Sequence, residues 1–146
     1  MKSDPRILIV EDNPDDEALL MRQLRKAELH EHVKAIHDGS KALAYLADER
    51  YPKTNLAAVF LDLKLPKLSG LQLLEAIRTD GRIRHLPVIV MTSSNNPAEL
   101  ERCRELGVSC FVQKPLTFAS FAKAFADTFH AQREAITSVP LVGRTE

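Results

Sequence analysis

Five short apolar runs, separated by segments of helical periodicity, constrain the fold of this chain more than any other feature of its sequence. Ile7 to Val10, Val33 to Ile36, Ala57 to Leu61, Pro87 to Met91 and Ser109 to Val112 are mostly β-branched or aliphatic. Runs this short that scarcely alternate with polar residues belong to strands covered on both faces, as in a parallel sheet with helical crossovers. With 146 residues the chain has room for one domain of that kind, an α/β unit in which strand and helix alternate five times.

The intervening segments carry helix signals. Asn13 is placed to cap the first helix, Pro14 occupies its first turn, and Asp15, Asp16 and Glu17 fall where the helix dipole favours acids. The second helix follows a turn at Asp38-Gly39-Ser40 and runs through Ala42, Leu43, Tyr45 and Leu46. The third follows Gly70 with Leu71, Leu73, Leu74 and Ile77. The fourth opens near Asn96-Pro97 and stops at Gly107. The fifth is expected from about Thr117 to Arg133, with Phe118, Phe121, Phe125 and Phe129 on one narrow face packed against the sheet.

Composition excludes several functions. Twenty Lys and Arg balance twenty Asp and Glu, so no global cationic field gathers nucleic acid or anionic lipid. Cys103 and Cys110 make no disulfide framework and read as small buried hydrophobes in a reducing compartment. No apolar run approaches the ~18 residues of a membrane span, and the first is too short for a signal peptide. A cytoplasmic protein is expected. His30, His32, His37, His85 and His130 are scattered, without Cys or carboxylate at ligand spacing, and are not expected to bind metal.

In an open parallel sheet, ligands bind beyond the carboxyl ends of the strands. The residues there are Glu11-Asp12, Asp62, Thr92 and Lys114-Pro115. Three carboxylates converging on one edge repel one another by about 3 kcal/mol per pair at 5 Å and an effective dielectric of 20, so something must compensate them. A hard divalent cation with oxygen ligands does so, and Mg²⁺ suits a few carboxylates completed by water and a phosphoryl oxygen. Lys114 adds a further positive charge. Asp15 and Asp16 are assigned to the helix dipole and Asp38 to a turn, outside the site.

Glu11-Asp12, Asp62-Leu63-Lys64-Leu65-Pro66 with Gly70, Met91-Thr92-Ser93-Ser94 and Phe111-Val112-Gln113-Lys114-Pro115 resemble the receiver domains of two-component response regulators, over about residues 5 to 131. The resemblance implies a flavodoxin-like, doubly wound five-stranded parallel sheet of strand order 2-1-3-4-5 with five helices. It implies that Asp62 is a phosphoacceptor, that Glu11, Asp12, Asp62 and the Lys64 backbone carbonyl bind Mg²⁺, and that Thr92 and Lys114 stabilise the phosphoryl group. Thr92 and Phe111 would be the switch residues, and Lys114-Pro115 a cis peptide. The Lys64 side chain is expected to stay solvated. On this reading the chain is not an enzyme acting on another substrate; its partner is a sensor histidine kinase. The opening Glu-Asp-Asn-Pro-Asp-Asp and the Leu-Pro-Lys after Asp62 are similar to stand-alone regulators paired with bacterial phytochromes.

Two other readings share the fold. A nucleotide-binding enzyme lacks its glycine signature here, since no G-x-G-x-x-G follows the first strand and no Walker A motif occurs. A degenerate receiver that only binds a partner is disfavoured by the matched Glu11, Asp12, Asp62, Thr92 and Lys114. With no output domain expected after residue 146, the signal would leave through a downstream protein or a phosphotransfer partner. Residues 132–146 read as an extension carrying Ile136, Val139, Leu141 and Val142, with Pro140 forbidding helix. An arm of this kind, with the face of the fourth helix, fifth strand and fifth helix, is expected to build a homodimer.

Overall fold

The computed structural model describes residues 5–128 apart from 27, 52, 54, 115, 118 and 125. The order is β1 (Ile7–Val10), α1 (Pro14–Lys26), a 3-10 turn (His30–His32), β2 (Val33–Ile36), α2 (Gly39–Ala47), β3 (Ala58–Asp62), α3 (Gly70–Thr79), β4 (Val88–Thr92), α4 (Pro97–Glu105) and β5 (Cys110–Gln113). Helical residues at 119–124 and 126–128 form α5. All strand pairs are parallel and the order is β2-β1-β3-β4-β5. The chain is thus the flavodoxin-like, doubly wound sheet with five helices that the sequence implies. The expected cis bond at Pro115, the stripe residues Phe118, Phe125 and Phe129, and the arm over 132–146 lie outside the described residues.

Strand alternation divides the core into two layers. Leu8, Val10, Val59, Leu61, Val88 and Val90 face a cluster completed by Leu46 of α2, Leu73, Leu74 and Ile77 of α3 and Cys103 of α4. Ile7, Ile9, Phe60, Ile89 and Met91 face the other side, where Leu20 and Leu24 of α1 meet Phe121 and Ala124 of α5. Phe121 packs against Phe60 with ring centres 5.4 Å apart and planes tilted by 30°, which is the packing role expected of the aromatic stripe at the stripe residue described. Full burial of each such side chain stabilises by roughly 1.5–3 kcal/mol, and every residue of β1, β3 and β4 is buried.

The last three strands sit one residue later than the apolar runs suggest. Pro87 has no N–H to contribute to a ladder, and Ala57 and Ser109 precede the regular pairing. At the other end, backbone pairing is indifferent to side-chain polarity, so Asp62 pairs with Met91 and Thr92 with Gln113. The consequence is functional: Asp62 and Thr92 are the last residues of rigid central strands, not loop residues. Cys110, expected inside, is half-buried, its Sγ 3.6 Å from Thr128 Oγ1.

Helix ends are set by side chains. Asn13 Oδ1 accepts from the N–H groups of Asp15 and Asp16 at 2.8 and 3.2 Å. Asp38, expected in a turn, is the N-cap of α2 and accepts from Lys41 N at 2.7 Å. Ser69 and Gln72 form a capping box on α3 that the sequence reading did not single out. Asn96 caps α4, and Gly107 at φ +72° closes it, its N–H donating to the Arg104 carbonyl while that of Val108 reaches Cys103.

Gly70 is required by contact. A Cβ there would lie 2.2 Å from the Asp62 carbonyl oxygen and 2.5 Å from Leu63 Cα, so α3 abuts the backbone that carries Asp62. Gly70→Ala is expected to destabilise the protein by about 2 kcal/mol or more in urea unfolding, because backbone must move. Gly81, with nothing within 4 Å of an added Cβ, is the control: Gly81→Ala should stay within about 0.5 kcal/mol of the parent.

Candidate functional site

The strand order reverses at β1, whose neighbours are β2 on one side and β3 on the other, and the crevice opens where β1 and β3 end. Glu11 follows β1 directly, its N–H donating to the Ile36 carbonyl, and Asp62 ends β3. One carboxylate oxygen from each of Glu11, Asp12 and Asp62 lies within 4.8 Å of the others. Glu11 and Asp62 are buried while Asp12 is exposed at the mouth. Among the described residues this is the one group of three or more acidic, His or Cys side chains with metal-binding geometry, and none of the histidines joins it.

Lys114 lies just beyond β5 and reaches back across the crevice. Its Nζ is 3.0 Å from Glu11 Oε1 and 3.0 Å from Asp62 Oδ2. It is also 2.8 Å from Asp16 Oδ2, a residue the sequence reading gave to the helix dipole alone. No spacing rule reveals this pair, because 98 residues separate its members along the chain; the available signal is an acid four residues past Asp12. The other oxygen of Asp62, Oδ1, accepts from the Lys64 N–H at 3.1 Å, so both carboxylate oxygens are held. The Lys64 side chain is exposed, as expected.

Electrostatics follow from burial. Burial first, then the hydrogen bond shared with Asp62, push the Glu11 carboxyl up to about 7, against the opposing pull of the Asn13 N–H and Lys114. For Lys114, burial alone would lower the pKa, but hydrogen bonds from the ammonium to Asp16, Glu11 and Asp62 together carry it above the ordinary lysine value. The ammonium form is therefore favoured, and one cation among these carboxylates leaves negative charge to be met by a proton or a second cation. This donor set fits a hard divalent cation: carboxylate oxygens from Glu11, Asp12 and Asp62, with an open, solvent-facing side at Asp12.

Thr92 is buried at the end of β4, and its Oγ1 accepts from the Ser94 N–H at 2.8 Å. The Lys114 N–H donates to the Thr92 carbonyl, tying β5 to β4 beside the site. Phe111 is half-buried against the α2–α4 side of the core, with the Arg104 guanidinium 5.5 Å from its ring centre. The structure thus gathers Glu11, Asp12, Asp62 and Lys114 into one cluster, sets Thr92 at an adjacent strand end and leaves Phe111 two residues back along β5.

An acidic crevice crossed by an ammonium, at the switch point of this sheet, defines a class of protein whose strand ends gather oxygen ligands suited to a cation. Residues 7–126 match the response regulator receiver domain, and the chain belongs to that family. The bacteriophytochrome response regulator AtBRR is 42% identical, with a TM-score of 0.70 over 87% of this chain and 94% of that one. The probable methanogenesis regulatory protein FilR2 of Methanothrix harundinacea (strain 6Ac) is 35% identical over 113 residues, 77% of this chain and 73% of its own. The receiver domain of the sensor histidine kinase PA1611 from Pseudomonas aeruginosa PAO1, a structure with a magnesium ion coordinated in the active site cleft, is 26% identical at a TM-score of 0.70. That match covers 88% of this chain and 99% of that one.

The raised Glu11 pKa sets a pH dependence. A carboxyl whose folded pKa lies above its unfolded value of about 4.5 contributes stability that is full below pH 4.5 and is lost as pH rises through about 7. In the absence of divalent cations, the stability of the parent relative to Glu11→Gln is expected to fall by on the order of 2 kcal/mol between pH 4.5 and 7.5. Urea unfolding of both proteins across that range measures it, and a flat difference would contradict the assignment.

Proposed function

We propose that this response regulator accepts a phosphoryl group on Asp62 from a sensor histidine kinase, with a divalent cation, and passes the change to a protein surface. The observation that carries the reading is the Asp62 carboxylate held at once by Lys114 and the Lys64 N–H inside an acidic cluster. One Asp62 oxygen attacks the phosphorus of a phosphohistidine or small acyl phosphate. As the new P–O bond forms, the bond to the donor's nitrogen or oxygen breaks and the leaving group departs with its electron pair. Because charge is spread over the phosphoryl oxygens, this chain's task is positioning and electrostatic neutralisation. Lys114 donates to a phosphoryl oxygen, and the Thr92 hydroxyl turns its proton toward another. Glu11, Asp12, Asp62 and the Lys64 carbonyl would hold Mg²⁺, which supplies positive charge against the phosphoryl group when bound. The protein acts on no substrate but its own Asp62.

Asp62→Asn keeps the shape but loses the anionic nucleophile, so Mg²⁺-dependent labelling by radioactive acetyl phosphate should vanish. Asp12→Ala should weaken Mg²⁺ binding at least tenfold, while Lys114→Ala retains it and impairs phosphoryl transfer. Label persisting on Asp62→Asn, or equal loss of metal affinity in the other two variants, would refute these roles.

The switch extends the proposal. The phosphoryl group adds about −1.5 to −2 charge, Thr92 follows it, and Phe111 turns further toward the core, remodelling the α4–β5–α5 face. Thr92→Ala should still take phosphate but show at least a halved fluorine NMR response at a labelled Phe111. An undiminished response removes Thr92 from the mechanism.

The similarity to AtBRR supports a bacterial phytochrome as the kinase, and the proposal places the protein in the cytoplasm. Among the described residues no helix is long and apolar enough to cross a membrane, and the proposal includes no nucleic-acid contact. It does include a receiver domain over 5–131 with an arm at 132–146 that steadies a homodimer, supported by the apolar Ile136, Val139, Leu141 and Val142 in that segment. Deleting residues 136–146 should lower the dimer fraction in analytical ultracentrifugation and leave Asp62 phosphorylation intact. A full-length protein that stays monomeric at high micromolar concentration would sink the dimer.

A further inference from the structure

The Lys114 ammonium has three protons and three carboxylates around it: Asp16 at 2.8 Å, Glu11 at 3.0 Å and Asp62 at 3.0 Å. Two of these three acceptors have other work in the reaction proposed above. Asp62 receives the phosphoryl group, and Glu11 belongs to the set that holds the cation. Asp16 alone is claimed by neither, and its side chain is only 17% exposed beside an ammonium that is 14% exposed.

The local structure explains why Asp16 is free to face Lys114. It stands at the third residue of α1, where an acid ordinarily reaches back to the N-cap backbone N–H. Here the Asn13 N–H donates to Glu11 Oε2 at 3.1 Å instead. Asn13 Oδ1 serves the N–H groups of Asp15 and Asp16, so the helix start is capped without the Asp16 carboxylate. Asp15, exposed in the same turn, supplies a charge of the same sign to the same helix end. Helix-end electrostatics alone therefore do not account for a carboxylate drawn into contact with the ammonium.

We propose that Asp16 is a positioning residue for phosphoryl transfer: it anchors the Lys114 ammonium from α1, keeping one proton aimed at the acceptor site when Glu11 and Asp62 are engaged elsewhere. This rests on the reading of Asp62 as phosphoacceptor. Charge-assisted bonds at this distance are directional, and an ammonium on a flexible four-carbon stem gains orientation from a fixed partner. Asp16 touches neither phosphoryl group nor cation and acts through Lys114.

The test compares the parent with Asp16→Asn, Asp16→Ala and Asp15→Asn as full-length proteins. At saturating Mg²⁺, the rate constant of phosphorylation by acetyl phosphate should fall about 3- to 10-fold in both Asp16 variants and stay at the parent value in Asp15→Asn. A second readout needs no phosphodonor. The Lys114 ammonium ¹H–¹⁵N NMR signal, protected by its three bonds, should be visible in the parent and in Asp15→Asn and exchange-broadened in Asp16→Ala. An unchanged or faster rate in the Asp16 variants, or equal slowing in Asp15→Asn and Asp16→Asn, overturns the proposal. A persistent ammonium signal in Asp16→Ala overturns it as well. If the parent accepts no phosphate, the reading of Asp62 fails, and the ammonium signal still decides whether Asp16 holds Lys114.

Discussion

One ammonium, Lys114, holds together the acidic end of an otherwise apolar sheet. Glu11 follows β1, Asp16 lies on α1 and Asp62 ends β3, and their mutual repulsion is offset by the Nζ of Lys114, within 3.0 Å of all three. Asp12 adds a further negative charge at the mouth. One cation against four carboxylates leaves an excess, and the molecule meets it by pushing the Glu11 carboxyl up to about 7. The buried strands beneath supply the rigidity that makes such crowding possible, because β1, β3 and β4 cannot relax without opening both layers of the core. A site assembled under this constraint favours whatever brings in positive charge, as the divalent cation of the proposed function would.

The same strands connect the site to the surface. Thr92 ends β4 next to Asp62, Lys114 follows β5, and the N–H of Lys114 donates to the Thr92 carbonyl. Phe111 lies on β5 under the Arg104 guanidinium of α4. Asp62 is therefore linked to the α4–β5 face through hydrogen-bonded strands.

The architecture was legible in the sequence because a doubly covered strand must be apolar along its length, and the five runs from Ile7 to Val112 say so. The gathering of Glu11, Asp12, Asp62 and Lys114 is legible because strand ends are predictable places, and the structure brings these four side chains together there. What was not legible depends on contacts rather than patterns. The strands extend to Asp62 and Thr92 because pairing ignores side-chain polarity. The Ser69–Gln72 capping box is masked in the sequence by the stronger Gly70 signal beside it. Asp38 caps a helix because its carboxylate meets the Lys41 N–H, a matter of one rotamer. Asp16 was read as helix-end charge, since nothing in the sequence shows that Glu11 takes the Asn13 N–H and so releases the Asp16 carboxylate to Lys114.

The central claim is that, of four clustered acids, Asp62 alone accepts the phosphoryl group. Borohydride reduction of the acetyl phosphate-treated protein converts an aspartyl phosphate to homoserine, and tandem mass spectrometry then locates the changed residue. The account predicts homoserine at position 62, dependent on Mg²⁺, with Glu11, Asp12 and Asp16 unmodified. Reduction product at any of those three positions, or none at position 62 under conditions that load the protein with label, would contradict it.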